Sequence, residues 1–165
     1  RFICIAPGSV WFTKTFPKEK FVKVCDLLKD QNIKIVLIGG ESDKILCEYI
    51  LNSSVNKNII NAAGMLTVLE SAELIRRSSL LISNDSAPLH IADSVGTAVV
   101  AIFGATVPEF GFFPYGERDI IIETKGLKCR PCSIHGGNEC PVRTFDCMLQ
   151  IKEYEIAGMI RDMII

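Results

Sequence analysis

The sequence lacks a dominant charge. Its 165 residues carry 18 Lys and Arg against 19 Asp and Glu, so the formal net charge is −1. Binding to nucleic acid or to an anionic membrane through overall charge needs a basic excess, so we expect neither as the main partner. No apolar run reaches the length of a membrane span, and no repeat or low-complexity segment is present.

The sequence also lacks an opening signal peptide. Arg1 and Phe2 lead at once into an apolar run, so we expect a piece of a longer protein. Of the residues, 48% are apolar and 22% are charged, which is typical of a globular domain with a real core. We therefore predict one domain over residues 1–165.

Cysteine, by contrast, is plentiful. The number, seven, is odd and does not suit a secreted disulfide framework, so we expect reduced thiols and a cytoplasmic protein. Cys4, Cys25 and Cys47 lie inside apolar patterns and are predicted to be core residues. The others fall in an irregular segment, residues 125–150, which we call the cysteine-rich segment. They are Cys129, Cys132, Cys140 and Cys147.

The spacing of these four cysteines allows a structural zinc site that would tie the irregular segment together. The second pair is not a CxxC motif, so free or oxidised thiols stay open as the alternative. The segment is also locally basic and could face phosphates of an acceptor. We interpret these basic residues as part of a solvated loop. They are Lys128, Arg130, His135 and Arg143.

Six short runs are apolar nearly throughout, as expected for parallel strands buried on both faces. Helical patterns alternate with them, including the T-x-x-E capping box of Thr67 and Glu70. Such alternation predicts an α/β fold, a Rossmann-like doubly wound sheet that is mostly parallel and six-stranded. The runs are FICIA (2–6), KIVLIG (34–39), NIINAAG (58–64), SLLIS (79–83), AVVAIFG (98–104) and DIIIET (119–124).

Small and polar residues follow five of these runs, and all such turns lie at the carboxyl edge of a parallel sheet, where ligands bind. Short strand-to-helix turns need Gly and Ser anyway, but five together favour ligand binding. The turns are Pro7-Gly8-Ser9, Gly39-Gly40-Glu41, Gly64-Met65, Asn84-Asp85-Ser86 and Gly104-Ala105-Thr106.

The stretch SNDSAPLHIADSVG (83–96) is the most crowded of these turns. Ser86 is predicted to cap a helix that Pro88 opens and Gly96 ends. The first-turn N–H groups suit a phosphate, and His90 shares the helix face of Ser86 and could bind the same anion. A capped structural helix with a surface His is the alternative.

Two charged residues in other turns are also candidates. Lys14, in the loop PGSVWFTKTFP, could neutralise a diphosphate and stabilise a leaving group, or be a solvated Lys. Trp11 and Phe16 are predicted to fix this loop by packing. Glu41 could accept hydrogen bonds from ribose hydroxyls, or be a favourable first-turn acid.

At these residues the chain resembles the C-terminal half of the family-9 glycosyltransferases, the lipopolysaccharide heptosyltransferases. The resemblance rests on four blocks and on the CRPC…CP…CM pattern (129–148). It covers most of the chain, and the last block is the most specific. The blocks are PGSVWFTKTFPKEKF (7–21), IGGESDK (38–44), AAGMLTVLE (62–70) and SNDSAPLHIADSVGTAVVAIFGAT (83–106).

The resemblance implies the donor-binding half of a two-domain GT-B enzyme, whose N-terminal acceptor domain is not in this sequence. It implies ADP-L-glycero-D-manno-heptose as donor and a lipopolysaccharide core as acceptor, met at the cytoplasmic face of the inner membrane. Transfer would invert the anomeric centre and need no metal. The N-terminal domain would supply the general base, so we expect this chain alone to bind donor without transferring sugar.

The resemblance also assigns the site residues by motif. Ser9 and Lys14 fall at the diphosphate, Glu41 at the ribose and Met65 near the adenine. The remaining ones form the loop and helix start that hold the diphosphate and the sugar, and they are Asp85, Ser86, Ala87 and His90.

Two positions depart from the family pattern: Phe16 stands where many members have Trp, and Ala87 where many have Gly. Ala87 slightly restricts backbone approach. Three alternatives stay open: a family member with another nucleotide sugar or acceptor, a GT-B nucleotide-sugar epimerase, and a non-catalytic module that binds nucleotides or is stabilised by zinc.

Overall fold

Each of the six predicted apolar runs forms a strand, and the six strands form one sheet. A computed structural model describes residues 1–164. The strands are β1 (Phe2–Ala6), β2 (Lys34–Leu37), β3 (Ile59–Asn61), β4 (Leu81–Asn84), β5 (Val99–Phe103) and β6 (Ile120–Glu123). Every neighbouring pair is parallel, in the order β3-β2-β1-β4-β5-β6. The prediction of a doubly wound sheet is confirmed, and the sheet is parallel throughout these strands.

The helices also follow the predicted patterns. They are α1 (Lys18–Leu27), α2 (Lys44–Ser53), α3 (Val68–Arg77), α4 (Ala87–Val95), α5 (Asp146–Leu149) and α6 (Glu153–Met163), with short 3-10 turns at Phe12–Lys14, Glu41–Asp43 and Pro108–Phe110. The capping box at α3 forms in both directions: the Glu70 N–H donates to Thr67 Oγ1, and the Thr67 N–H donates to Glu70 Oε2. The short helix α5, which lies in the cysteine-rich segment, was not predicted.

The sheet is covered on both faces, which explains why its strands are apolar at successive positions. Along β1, Ile3 and Ile5 pack with α1, α2 and α6 in one cluster. Cys4 and Ala6 pack with α3 and α4 in a second cluster. The predicted core residues Cys25 and Cys47 are buried in the first cluster.

The strand order reverses between β1 and β4. In sheets of this class the crevice at such a point, outside the carboxyl ends of the strands, is the usual ligand site. The fold therefore places the exits of β1 and β4 at the centre of the candidate site. No helix among residues 1–164 is long and apolar enough to cross a membrane.

Candidate functional site

A first cavity of about 330 Å³ lies at the carboxyl edge of the sheet. Residues at the exits of β1, β2 and β4 and at the start of α3 line it, among them Ser9, Gly40, Leu66 and Ser86. Most of its walls are therefore the strand exits that the sequence predicted to bind a ligand.

Asp43, which the sequence analysis missed, brings a carboxylate to the first cavity. Its Oδ2 accepts the Gly40 N–H at 2.9 Å. A Cβ placed on Gly8 or on Gly39 would clash with the Asp43 carboxylate. Glycine at both positions lets this acid fit between the exits of β1 and β2. The sequence signal for this residue was an acid three residues after Gly40, whereas the sequence analysis chose Glu41, the acid that directly follows Gly40.

Glu41 and Met65, both predicted site residues, line neither this cavity nor the second one described below. The Glu41 side chain is 78% exposed and pairs with Lys44 Nζ at 2.8 Å. Met65 is also largely exposed. The 3-10 turn at Glu41–Asp43 separates the two acids, because it turns Asp43 toward the first cavity while the Glu41 side chain is exposed to solvent.

A second cavity, of about 350 Å³, lies on the other side of the start of α4. It contains the predicted residues Lys14, Asp85 and His90. Lys14 Nζ lies 2.7 Å from Asp85 Oδ2, and the Thr106 hydroxyl donates to the same oxygen at 2.6 Å. An ammonium has three N–H donors, so the pair with Asp85 holds Lys14 in place and leaves donors for a further anion.

The start of α4 lies between the two cavities, since Ser86 and Ala87 line both. The helix begins and ends where predicted, with Pro88 in its first turn and Gly96 in the left-handed conformation after its last residue. Ser86 occupies the N-cap position, but its hydroxyl forms no capping hydrogen bond and approaches the Asn84 carbonyl oxygen at 3.4 Å. The expected side-chain cap is therefore wrong. Pro88 has no N–H and the Leu89 N–H donates to the Ser86 carbonyl oxygen, so the Ala87 N–H is the first-turn donor at the junction of the cavities.

Asn84 fastens the loop that carries Lys14, a role that the sequence analysis did not assign. Its side-chain N–H group donates to the carbonyl oxygen of Pro7, and its Oδ1 accepts the Phe16 N–H, both across the β1–β4 boundary. Phe16 is fully buried and packs edge-to-face on Phe21, as the predicted packing role requires.

Part of the cysteine-rich segment forms a wall of the second cavity, through Ile134 and His135. The Arg130 side chain, only 6% exposed, donates to the carbonyl oxygens of Gly104 and Thr106 and pairs with Glu123. The prediction that the basic residues form a solvated loop is therefore wrong for Arg130, which anchors the segment to the exit of β5.

The four clustered thiols lie in different environments, although all are free. Burial raises the pKa of Cys147 to about 11 and also raises the pKa of Cys132. Burial has the same tendency at Cys140, but hydrogen bonds from N–H groups of residues 142–145 outweigh it and lower its pKa. Within residues 1–164, no three His, Cys, Asp or Glu side chains are placed to hold one metal ion. The zinc hypothesis therefore still rests on spacing.

Residues 1–141 match the model of glycosyltransferase family 9 (heptosyltransferase). The chain belongs to this family. Lipopolysaccharide heptosyltransferase 3 of Escherichia coli K12 is 36% identical over 107 residues, which are 64% of this family-9 chain and 31% of that relative. Lipooligosaccharide heptosyltransferase 2 of Haemophilus influenzae is 28% identical over 142 residues, 82% of this chain and 41% of that relative.

Solved structures agree with the family-9 assignment. A family-9 glycosyltransferase from Veillonella parvula superposes with a TM-score of 0.81 at 26% identity, over 99% of this chain and 45% of that one. The E. coli ADP-heptose lps heptosyltransferase II gives the same TM-score at 19% identity, over 99% of this chain and 46% of that one, and shows the shared fold. The family-9 chain spans less than half the length of these proteins.

Proposed function

We propose that this chain is the donor-binding part of an inverting glycosyltransferase that transfers heptose from ADP-L-glycero-D-manno-heptose to the lipopolysaccharide inner core. The observation that carries the proposal is the pair of cavities that meet at the start of α4, with Lys14 beside that junction. A nucleotide sugar has this same division, because a charged diphosphate joins its nucleoside to its sugar.

The donor is assigned to the cavities by their chemistry. The first cavity holds apolar residues such as Leu66 and Ile91 beside the Asp43 carboxylate, which suits a base and its ribose hydroxyls. The Ala87 N–H at the start of α4 and the Lys14 ammonium suit the diphosphate, because a helix start and an ammonium both favour anions. The second cavity then takes the sugar.

Lys14 is assigned the role of stabilising the leaving group. In the transfer, an acceptor hydroxyl oxygen forms a bond to the anomeric carbon from the face opposite the diphosphate. The bond from that carbon to the diphosphate oxygen breaks, and its electron pair leaves with ADP. Lys14 Nζ offsets the negative charge that develops there. The hydroxyl proton passes to a general base that we assign to an N-terminal domain of the full-length protein.

The reaction is assigned to the cytoplasmic face of the inner membrane because of its proposed acceptor. Glycan acceptors other than the lipopolysaccharide core, and nucleotides other than ADP, fit the same two-cavity arrangement. Relatives named heptosyltransferase 1, 2 and 3 occur among the similar proteins, and this favours heptose as the transferred sugar.

A thermal-shift titration with ADP, UDP, GDP and ADP-heptose tests the proposal. Ligand at one hundred times its dissociation constant adds about 2.7 kcal/mol, or about 5–10 °C in Tm for a chain of this size. We expect this rise with ADP and ADP-heptose, and its loss in Lys14→Ala. A rise in Tm with UDP or GDP alone would show that the donor carries a nucleotide other than ADP. No rise in the Tm of the full-length protein with any of these ligands would refute nucleotide binding.

Zinc is kept as a separate structural proposal for Cys129, Cys132, Cys140 and Cys147. One equivalent of zinc that survives dialysis of the purified protein, and is lost in Cys129→Ser, would support it. Protein free of zinc after expression in zinc-supplemented medium would contradict it.

A further inference from the structure

The chain has two histidines, and both line the second cavity. His90 belongs to α4 and was predicted from its motif. His135 belongs to the cysteine-rich segment, and no motif pointed to it as a ligand for the donor. It lines the second cavity and not the first, so within the proposed function it lies on the sugar side of the diphosphate.

A closed turn presents His135. The Ser133 hydroxyl donates to the Gly136 carbonyl oxygen at 2.9 Å, and the Gly136 N–H donates back to Ser133 Oγ at 2.8 Å. Ile134 and His135 form the tip of this turn, and both are exposed. Gly136 completes it with φ +91°, a conformation that glycine adopts readily.

The turn is fixed on both sides to elements that build the site. Before it, the Cys132 N–H donates to the Ala105 carbonyl oxygen at 2.9 Å. After it, the Thr13 N–H donates to the Gly137 carbonyl oxygen at 3.0 Å, and the Gly137 N–H donates to Thr13 Oγ1 at 2.8 Å. These bonds therefore hold the tip of the turn at a fixed position relative to Thr13, the residue next to Lys14.

The chemistry of this wall suits a sugar better than a further phosphate. Phe110, Phe112 and Ile134 make it largely apolar, and His135 adds one ring N–H donor and one ring nitrogen acceptor in its neutral form. Sugars offer apolar C–H faces and hydroxyls that both donate and accept. Lys14, the fixed cation of the cavity, forms an ion pair with Asp85.

We propose that His135 is a specificity-determining residue that hydrogen-bonds a hydroxyl of the transferred sugar. This inference rests on the proposed function, because it assumes a nucleotide sugar in the two cavities. The inference assigns sugar recognition to a residue and a chain segment that the proposed function does not include. The hydrogen bonds that fix the turn at residues 133–136 would then hold His135 in position to bind the sugar.

The test compares the affinities of ADP and of ADP-heptose for the full-length protein by isothermal titration calorimetry. His135→Ala should weaken ADP-heptose about tenfold, the effect of one lost hydrogen bond, and change ADP by less than about twofold. His135→Gln, which keeps a donor and an acceptor, should recover most of the loss. Asn138→Ala is the matched control, since Asn138 is exposed on the same segment and lines neither cavity.

The outcomes separate the two proposals. Wild-type protein that binds neither ADP nor ADP-heptose would overturn the proposed function and this inference with it. Wild-type binding of both ligands, with His135→Ala weakening them equally or not at all, would overturn the inference alone. A selective loss for ADP-heptose that Gln restores and Asn138→Ala does not reproduce would support it.

Discussion

The two cavities beside α4 are built in opposite ways. The first is made mostly of turns that directly follow strands, so each wall is a local feature of the chain. The second joins Lys14, near one end of the sequence, to His135, near the other. Two hydrogen bonds between Thr13 and Gly137 join these distant segments, one between backbone groups and one from the Gly137 N–H to the Thr13 hydroxyl oxygen. Sequence patterns therefore locate the strand exits of both cavities, with Lys14, Asp85 and His90 in the second, but they give no sign of a wall that a distant segment supplies.

Two ion pairs, one in the second cavity and one outside both cavities, differ in their exposure to solvent. Lys14 and Asp85 lie 2.7 Å apart with side chains 15% and 6% exposed, while Lys44 and Glu41 lie 2.8 Å apart with side chains 45% and 78% exposed. The separations are nearly equal, so the energetic difference between the pairs is a difference of burial. Exposed pairs contribute little, whereas breaking a buried pair leaves an uncompensated charge.

The largest effect is therefore expected from Asp85→Ala. It leaves Lys14 and the Thr106 hydroxyl without their shared acceptor, and we expect a loss of about 3 kcal/mol of unfolding free energy, or about 6–12 °C in Tm. Glu41→Ala, the control in the exposed pair, should cost less than about 1 kcal/mol. Urea denaturation measures both, and equal losses would remove the distinction drawn between the pairs.

A smaller effect is expected from Gly136→Ala, compared with Gly126→Ala. Both glycines have positive φ, +91° and +77°. A Cβ at Gly136 would lie 3.0 Å from Cγ and Cδ of Lys14, whereas at Gly126 nothing lies within 4 Å. Backbone strain of about 1–2 kcal/mol should appear in both variants, with an added loss of ADP affinity only in Gly136→Ala. Equal ADP affinity in the two variants would show that the turn does not position Lys14.

Asp43→Asn tests the first cavity by itself. The substitution keeps an oxygen for the Gly40 N–H but removes the charge that we assign to ribose recognition. Loss of a charge-assisted hydrogen bond should weaken ADP about tenfold, and Glu41→Gln should leave ADP binding unchanged. If calorimetry showed that Glu41→Gln weakens ADP binding and Asp43→Asn does not, Glu41 would be the residue that binds the ribose, as its motif first indicated.

The smallest effect is expected at Asp93, which lines neither cavity. Burial raises the pKa of its carboxyl, the Tyr115 N–H opposes this, and Asp119 adds to it. An acid whose pKa is raised on folding disfavours the folded state once ionised. Stability is therefore lost as the pH rises from the ordinary Asp range through the raised pKa.

Asp93→Asn should remove that loss. At pH 7 we expect a gain of up to about 0.5 kcal/mol, or about 1–2 °C in Tm, and near pH 3 we expect no difference from wild type. Thermal melts at the two pH values measure this. A gain of equal size at both would point to a packing effect and away from ionisation. ADP affinity should not change, which makes the variant a baseline for the cavity substitutions.

The sequence by itself determined the parallel sheet, the order of strands and helices along the chain, and much of the site. Apolar runs, the Thr67–Glu70 capping box and the Pro88…Gly96 helix signals are local, so neighbouring residues suffice to specify them. The turns after parallel strands share one edge of a sheet by topology. That was enough to bring Ser9, Lys14, Asp85 and His90 to the two cavities without knowledge of any contact.

Only the tertiary structure decided which of two nearby acids faces the first cavity and what closes the second. Glu41 and Asp43 are equivalent by type, and a 3-10 turn directs one of them inward. Gly137 and Cys132 attach the wall of the second cavity through hydrogen bonds of their backbone groups. Apart from the Thr13 hydroxyl, which accepts the Gly137 N–H, the bonded groups occur on nearly every residue type. Such pairings therefore leave almost no residue-type signal and arise only when distant segments pack together.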